Sequence, residues 1–434
     1  MVNEVVKSLN STALAYFYTM EKSQPKITII GAGVSGLTAA LTLQNAGYKS
    51  TLYDANSFIG GRVNSLIKNG LILDQGFQVM LDAYPAVQEF LDIEALKLRK
   101  FVPGSLIFNG RRTYRLGDPS RDYSFFWSTL FAGVGSLKDK WLVFSLSRKL
   151  KQKSLQQVFA SPEKSTLTYL QEFGFSHQMI SSFFTPFYAG IFLETELATS
   201  SRMFEFVFKM FTEGSAAIPA GGMKAIPEQL ASKLTAGSIQ LNQKISAVLG
   251  NEITLENGEK FLSDYTIVAA PAGDIVPNLP DEMMPWHHVT VLYFETDHTG
   301  FDEAIIGLVT NEEVVINNFH FLQDVFENHR IVISVSVIKK HQFTDQQLVE
   351  RVIKELREET GIKASEFIQL FHIKKALPQL HSLNYCMTPS ETQLTEHLFL
   401  AGDHLSNASL NAAMLNGKSA AQAVISKIES SVLL

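Results

Sequence analysis

The run Gly31-Ala32-Gly33-Val34-Ser35-Gly36 constrains this chain more than any other feature, because of what stands on either side of it. Before it, Lys26 to Ile30 reads Lys-Ile-Thr-Ile-Ile, uncharged after its first residue and rich in β-branched side chains, as a buried parallel strand should be. After it, Leu37 to Ala46 is rich in Ala and Leu and stops at Gly47, which predicts a helix with a glycine end. Lys49 to Tyr53 reads as a second strand and runs into Asp54. Strand, glycine turn, helix and strand make a βαβ unit of about 30 residues.

Each glycine has a physical role in such a unit. Gly31 permits the tight turn, Gly33 lets backbone approach a pyrophosphate, and Gly36 lets the helix pack closely on the strand. Free amides and the helix dipole then attract phosphate oxygens. Asp54 follows Gly36 by eighteen residues, where an acid accepts hydrogen bonds from ribose hydroxyls and repels a 2′-phosphate. The hexapeptide alone would be weak, since an ordinary Gly-rich turn has the same letters. Its flanks make it a dinucleotide site, with NAD and FAD both open at this point.

The rest of the chain has the size and composition to carry a substrate lobe. At 434 residues, 46% hydrophobic and 18% charged, it is a folded protein of two or three domains rather than a disordered or coiled-coil one. Its net charge of -6 gives no basic footprint, which argues against nucleic acid as the main partner. One cysteine, Cys386, excludes a disulfide framework and suits a reducing, cytoplasmic setting. Phe outnumbers Tyr and Trp, 31 against 12 and 3, which fits either an apolar cavity or simply a Phe-rich core.

Segments of differing character follow. Asp92 to about Phe211 reads as helical and aromatic, with few strand signals. Ile239 to Ala270 reads as strands and hairpins, with Asn257-Gly258 as a turn. Val289 to Phe294 and Arg330 to Ile338 read as strands, and Leu348 to Thr360 as a helix stopped at Gly361. Leu398 to Asp403 is another buried strand meeting a loop, and Ser409 to Lys427 a small-residue helix. The expected fold class is α/β: a Rossmann-like dinucleotide domain from residues 26–90, 215–285 and 390–434, with an inserted mixed α+β substrate domain from 91–214 and 286–389, after an extension over 1–25. That extension lacks the apolar core of a signal peptide, and no window reaches the apolar length of a membrane span. Tyr123 to Leu137 is uncharged, and continued through Trp141 and Phe144 it reads either as a surface dipping into lipid or as a buried helix pair.

Further motifs decide between the nucleotides. Phe58-Ile59-Gly60-Gly61-Arg62-Val63 follows the second strand, then Leu73-Asp74-Gln75-Gly76. With these the chain resembles the flavin-containing amine oxidase superfamily, nearest its protoporphyrinogen oxidase and phytoene desaturase-like branch. Further matches are Pro219-Ala220-Gly221-Gly222-Met223, Ile267-Val268-Ala269-Ala270-Pro271, Ala401-Gly402-Asp403 and Leu410-Asn411-Ala412-Ala413. The resemblance implies FAD as the cofactor. It implies that Gly31, Gly33, Gly36, Asp54, Gly61, Arg62, Gly402 and Asp403 hold FAD. It also implies that Ile245 contacts adenine through its backbone, and that Gly76, Ala412 and Ala413 approach the flavin ring.

The chemistry implied is FAD-dependent oxidation of a bulky apolar substrate. Amine oxidases of the superfamily keep a Lys on a central strand, and Val289 to Phe294 contains none. Their paired Tyr positions fall near Ser409 and Met387. Ser182 to Phe192 resembles a segment of the desaturase and protoporphyrinogen oxidase branches, and Phe204, Phe206, Phe208 and Phe211 are expected either to line an isoprenoid or tetrapyrrole tunnel or to pack a core. A non-redox isomerase or mutase using reduced flavin, an amine oxidase and a non-catalytic flavin protein are the alternatives. His404 is a candidate near the flavin edge and Cys386 one for covalent attachment. Arg111, Arg112 and Arg115 form a basic cluster, while His287-His288 lacks a third metal ligand and His372 reads as structural. No catalytic acid or base is assigned.

Overall fold

The strand Ile27–Ile30, buried along its whole length, is the middle of a five-stranded parallel sheet in the computed structural model. The structure describes residues 24–433 except 77–78, 111, 118–120, 122–128, 130–131, 274, 278, 280–283, 297–302 and 323–330. Across the sheet the strands run Ile239–Gln240, Ser50–Tyr53, Ile27–Ile30, Tyr265–Val268 and Leu398–Leu400. Three distant stretches of chain thus build one sheet. Its β-branched strands are covered on both faces, which is why they carry little charge.

The Val34–Asn45 helix connects Ile27–Ile30 to Ser50–Tyr53, starting three residues earlier than its apolar pattern suggests. The helix Leu410–Leu433 lies beside it. Gly417 makes this approach possible, since a Cβ there would fall 2.2 Å from the Ser35 carbonyl oxygen. The turn at Asn257-Gly258 joins the antiparallel strands Glu252–Leu255 and Lys260–Leu262, with Gly258 at φ +87°.

A second, seven-stranded sheet runs Ala364–Pro378, Trp286–Thr296, Val332–Val337, Ile316–Phe321, Ile306–Val309, Gly104–Asn109 and Arg112–Gly117. Strand periodicity shows how it is buried on both faces. Val289, Val291 and Tyr293 join one hydrophobic core, and Leu292 and Phe294 the other, with Leu348 and Val352 of the Asp345–Glu355 helix. The Leu348 to Thr360 helical pattern resolves into Asp345–Glu355, capped by Thr344, and a π-turn Leu356–Thr360.

One element departs from the sequence reading, and a second is longer than the strand-like edge that Leu370 to Ile373 suggest. The hairpin Gly104–Asn109 and Arg112–Gly117 lies inside a stretch that reads as helical. The strand Ala364–Pro378 occupies an edge, where alternating polar side chains face water and blunt the apolar signal. Helices Leu137–Gln152, Thr166–Phe173, Thr185–Phe192 and Ser201–Glu213 form the aromatic remainder. Among the described residues no helix is long and apolar enough to cross a membrane. The extension over 1–23 and most of the Tyr123 to Leu137 stretch lie outside the described residues.

Candidate functional site

One cavity of about 1230 Å³ runs from the glycine turns to the helices of the inserted region. Ligand pockets usually span about 300–1,000 Å³, so this one has room for a dinucleotide and a second molecule.

The first glycine turn closes its floor. Gly31 sits at φ +104°, and a Cβ there would lie 2.9 Å from the Ala269 carbonyl oxygen. At Gly36 a Cβ would meet the Gly31 carbonyl oxygen at 1.9 Å, so strand and helix approach only because both residues are glycine. Gly33 caps the Val34–Asn45 helix without a side chain, and no acid stands in its first turn. Val34 and Ser35 line the cavity, and the buried Ser35 hydroxyl has no hydrogen-bond partner among the described residues. A helix start with uncapped amides and an orphaned hydroxyl calls for acceptor oxygens from a ligand, as a pyrophosphate would supply.

Asp54 does something its position in the sequence does not disclose. Its Oδ2 accepts the Ala32 amide at 2.7 Å, and its Oδ1 accepts the Asn56 amide at 2.8 Å and Asn56 Nδ2 at 2.9 Å. The carboxylate therefore shapes the glycine turn from below. Its acceptor capacity of about four lone pairs leaves room for one more donor.

The second glycine turn faces the first. Gly60 donates to the Ala32 carbonyl at 2.8 Å, and Gly61 lies against Gly33. Arg62 beside them forms an ion pair with Asp403 and lies over the Trp286 ring at 5.3 Å. Gly402 stands at φ +145°, where a Cβ would strike the His404 ring. Burial holds the His404 imidazole below its ordinary value, so it is neutral at pH 7.

Gly76 is positioned by Asp74, two residues earlier. The buried Asp74 carboxylate accepts from Ser65 Oγ and, at 2.9 Å, from the Met223 amide, while its carbonyl accepts from Tyr293 Oη at 2.8 Å. Burial pushes the Asp74 carboxyl up to about 6, against the opposing pull of those hydrogen bonds. Asp74, which opens the Asp74-Gln75-Gly76 motif, and Tyr293 of the Trp286–Thr296 strand brace Gly76 from outside the cavity lining. The pairing of Asp74 with Met223, far along the chain, has no local signal.

Gly31, Gly33, Asp54, Gly61, Arg62, Gly76, Ile245, Gly402, Asp403 and Ala413 all line the cavity. Gly36 and Ala412 do not. Gly36 serves packing, as its spacing implies, whereas Ala412 differs from the expectation. Its side chain is fully buried and its amide donates to Ser409 Oγ at 3.0 Å. The Ala413 amide donates to the Ser409 carbonyl at 2.9 Å. Ser409 therefore caps this helix and uses amides that the sequence reading directed at the ring.

Towards the inserted region the walls turn apolar, with Leu81, Phe192, Met203, Val207, Phe211 and Leu383. The phenylalanine tunnel is mostly a core. Phe204 and Phe206 are fully buried, and of Phe204, Phe206, Phe208 and Phe211 only Phe211 reaches the cavity. Glu194 lines it too, but its oxygens accept the amides of Glu196 at 2.7 Å and Thr199 at 3.1 Å, so it organises its own loop.

The remaining candidates lie elsewhere or are otherwise engaged. Cys386 is half-buried and outside the lining, and burial pushes its thiol up. Met387 is outside the lining as well. Arg115 pairs with Glu303, away from the cavity, and Arg111 lies outside the described residues. His372 joins Thr290 at 3.0 Å and Asp345 at 2.8 Å, tying strand to helix. His287 lines the cavity and meets Gln379 at 3.2 Å.

Comparison with known proteins agrees with this geometry. The family model for flavin containing amine oxidoreductase matches residues 34–425. Protoporphyrinogen oxidase 2, chloroplastic/mitochondrial, of Arabidopsis thaliana is 30% identical over 168 residues, which are 39% of this chain and 32% of that protein. A 4,4'-diapophytoene desaturase of Staphylococcus aureus is 41% identical over 64 residues, 14% of this chain and 13% of that one. The matched stretches thus span a third or less of these relatives' length. The crystal structure of a putative protoporphyrinogen oxidase from Exiguobacterium sp. 255-15 superposes with a TM-score of 0.68 at 17% identity, covering 94% of this chain and 99% of that one, and shares the fold. The chain belongs to the flavin containing amine oxidoreductase family, and its cofactor is FAD.

Proposed function

We propose that this member of the flavin containing amine oxidoreductase family is an FAD-dependent oxidoreductase that takes hydride from a bulky, largely apolar substrate. The observation that carries the reading is the continuity of one cavity, polar and glycine-lined at one end and apolar at the other.

The residues fit the cofactor. Gly31, Gly33 and the start of the Val34–Asn45 helix would hold the pyrophosphate, with the Ser35 hydroxyl as a further donor. Asp54 would accept from the ribose, and the Ile245 backbone would meet adenine. Arg62 and Asp403 would hold the ribityl–pyrophosphate region, with Gly76 and Ala413 beside the ring. FAD supplies the two-electron acceptor when bound. The chain supplies position and dryness: Met203, Val207 and Phe211 orient an apolar body and exclude water. The Trp286–Thr296 strand carries no Lys, which weighs against amine substrates. Transfer then rests on proximity and orientation, without an assigned acid or base.

The names of the two relatives point to tetrapyrrole or isoprenoid-type substrates, and an apolar wall suits either. Such molecules reside in bilayers, so peripheral membrane contact belongs to the same reading. The test is the absorption spectrum of the purified protein, followed by anaerobic mixing with a porphyrinogen and with a linear polyene precursor. We expect the paired near-ultraviolet and blue bands of oxidised flavin, and bleaching of the blue band with formation of oxidised product. No flavin bands after FAD is added back would sink the cofactor assignment. Turnover that needs prior reduction and gives an isomer would replace oxidation with the isomerase reading.

A further inference from the structure

The Leu137–Gln152 helix presents two unlike faces. Leu142, Leu146 and Leu150 are buried, and the helix packs against Ser201–Glu213, whose Lys209 Nζ reaches the Leu150 carbonyl at 3.1 Å. On the outward face Leu137, Trp141 and Phe144 are 68%, 64% and 61% exposed. At helical spacing the same stripe continues to Arg148 and Lys151, both exposed and without an ion-pair partner among the described residues. The helix holds five cations and one acid, Asp139, which is buried and accepts the Ser136 and Ser176 amides at 2.7 Å each. In a chain of net charge -6, this row of cations runs against the overall balance.

We infer that this stripe docks on a bilayer surface containing anionic lipid. Three large apolar side chains in line, with the indole among them, suit the acyl–headgroup boundary. Arg148 and Lys151 extend the line with the charge that anionic headgroups attract. A second copy of the chain fits the face poorly, since pairing two stripes would set Arg148 and Lys151 either against the same cations or against Leu137 and Trp141, with no exposed acid on the helix to meet them. The packing partner Ser201–Glu213 carries Met203, Val207 and Phe211 into the cavity wall, so docking sets the apolar lobe one helix from the membrane. That purpose rests on the oxidoreductase reading; the docking itself does not.

The test is flotation of the purified FAD-loaded protein with vesicles of phosphatidylcholine alone, and of equal parts phosphatidylcholine and phosphatidylglycerol. The variants are Trp141→Ser with Phe144→Ser, and Arg148→Glu with Lys151→Glu, all at exposed positions, with flavin content and mass followed in parallel. We expect the parent to float with the anionic vesicles and each double variant to lose roughly tenfold or more of its partitioning, with unchanged flavin content. The absence of flotation with either vesicle would overturn the proposal, as would flotation that neither double variant weakens. A parent that is dimeric and does not float, with variants that become monomeric, would assign the face to a second copy instead. Flavin reduction by substrate is read separately, so loss of docking leaves the redox reading standing and loss of turnover leaves docking standing.

Discussion

Arg62 and Asp403, 341 residues apart in the chain, meet as an ion pair inside the cavity, with the guanidinium over the Trp286 ring. The pair joins the second glycine turn to the loop after Leu398–Leu400, and Asp403 is much the more buried partner. Arg62→Ala leaves that carboxylate without its cation in the region proposed to hold FAD. The expected result is a rise of about tenfold in the FAD dissociation constant, with partial recovery in Arg62→Lys. Fluorescence titration of apoprotein with FAD checks it, and unchanged affinity would remove Arg62 from the holding set.

Gly36 and Gly47 separate the two reasons for using glycine. Gly36→Ala drives a Cβ into the Gly31 carbonyl oxygen and should cost about 3 kcal/mol, because the two nearest atoms are backbone and cannot swing aside. Gly47 lies at φ +88° with open space around it, so Gly47→Ala should cost only about 1–2 kcal/mol. Thermal melts of both apoproteins decide the matter, and equal shifts would contradict the packing argument.

Asp74 makes stability depend on pH with a defined sign. Its carboxyl titrates near 6 in the fold against an ordinary 3.8, so its contribution is complete below about 3.8 and is lost as pH rises through about 6. The loss amounts to about 3 kcal/mol. Urea midpoints of the parent and Asp74→Asn should therefore diverge between those pH values in favour of the variant as pH rises. A constant difference across the range would mean that Asp74 titrates normally.

Cys386, with its thiol pushed up and half-buried, should react slowly with a disulfide reagent at pH 7 and leave the flavin unattached. Acid precipitation should give a yellow supernatant. Colour in the pellet would bring Cys386 into the site.

Val207→Trp should fill part of the apolar lobe. The expected outcome is a raised KM for a bulky substrate with flavin content and spectrum unchanged. An unaffected KM would move the substrate away from this wall.

Both glycine turns were legible because their chemistry demands backbone proximity within a few residues, and that demand is written locally. Asp54 was found, but not its grip on the Ala32 amide, since an acid after a strand looks the same whether it faces a ligand or a turn. Ala412 differs from the expectation because Ser409, read as the first residue of the helix, is its N-cap and takes the Ala412 amide. The phenylalanines of 204–211 illustrate the opposite difficulty. Helical spacing puts apolar side chains on one broad face, and whether that face meets a cavity or another ring is set by partners such as Tyr188, 4.8 Å from Phe204 between ring centroids. The edge strand Ala364–Pro378 shows in the sequence only as Leu370 to Ile373, a strand-like edge, because half its side chains answer to water.

The order of strands in the parallel sheet has a consequence for biosynthesis. Ile27–Ile30 is made first and sits in the middle, yet its neighbour Tyr265–Val268 and the outer Leu398–Leu400 arrive much later. The glycine turn therefore leaves the ribosome hundreds of residues before the Arg62 partner exists, since Asp403 follows the outer strand. The nascent chain must keep its first apolar strand out of wrong pairings throughout that interval. Loading of FAD is then a late event, and coexpressed chaperones should raise the yield of yellow protein more than added FAD does.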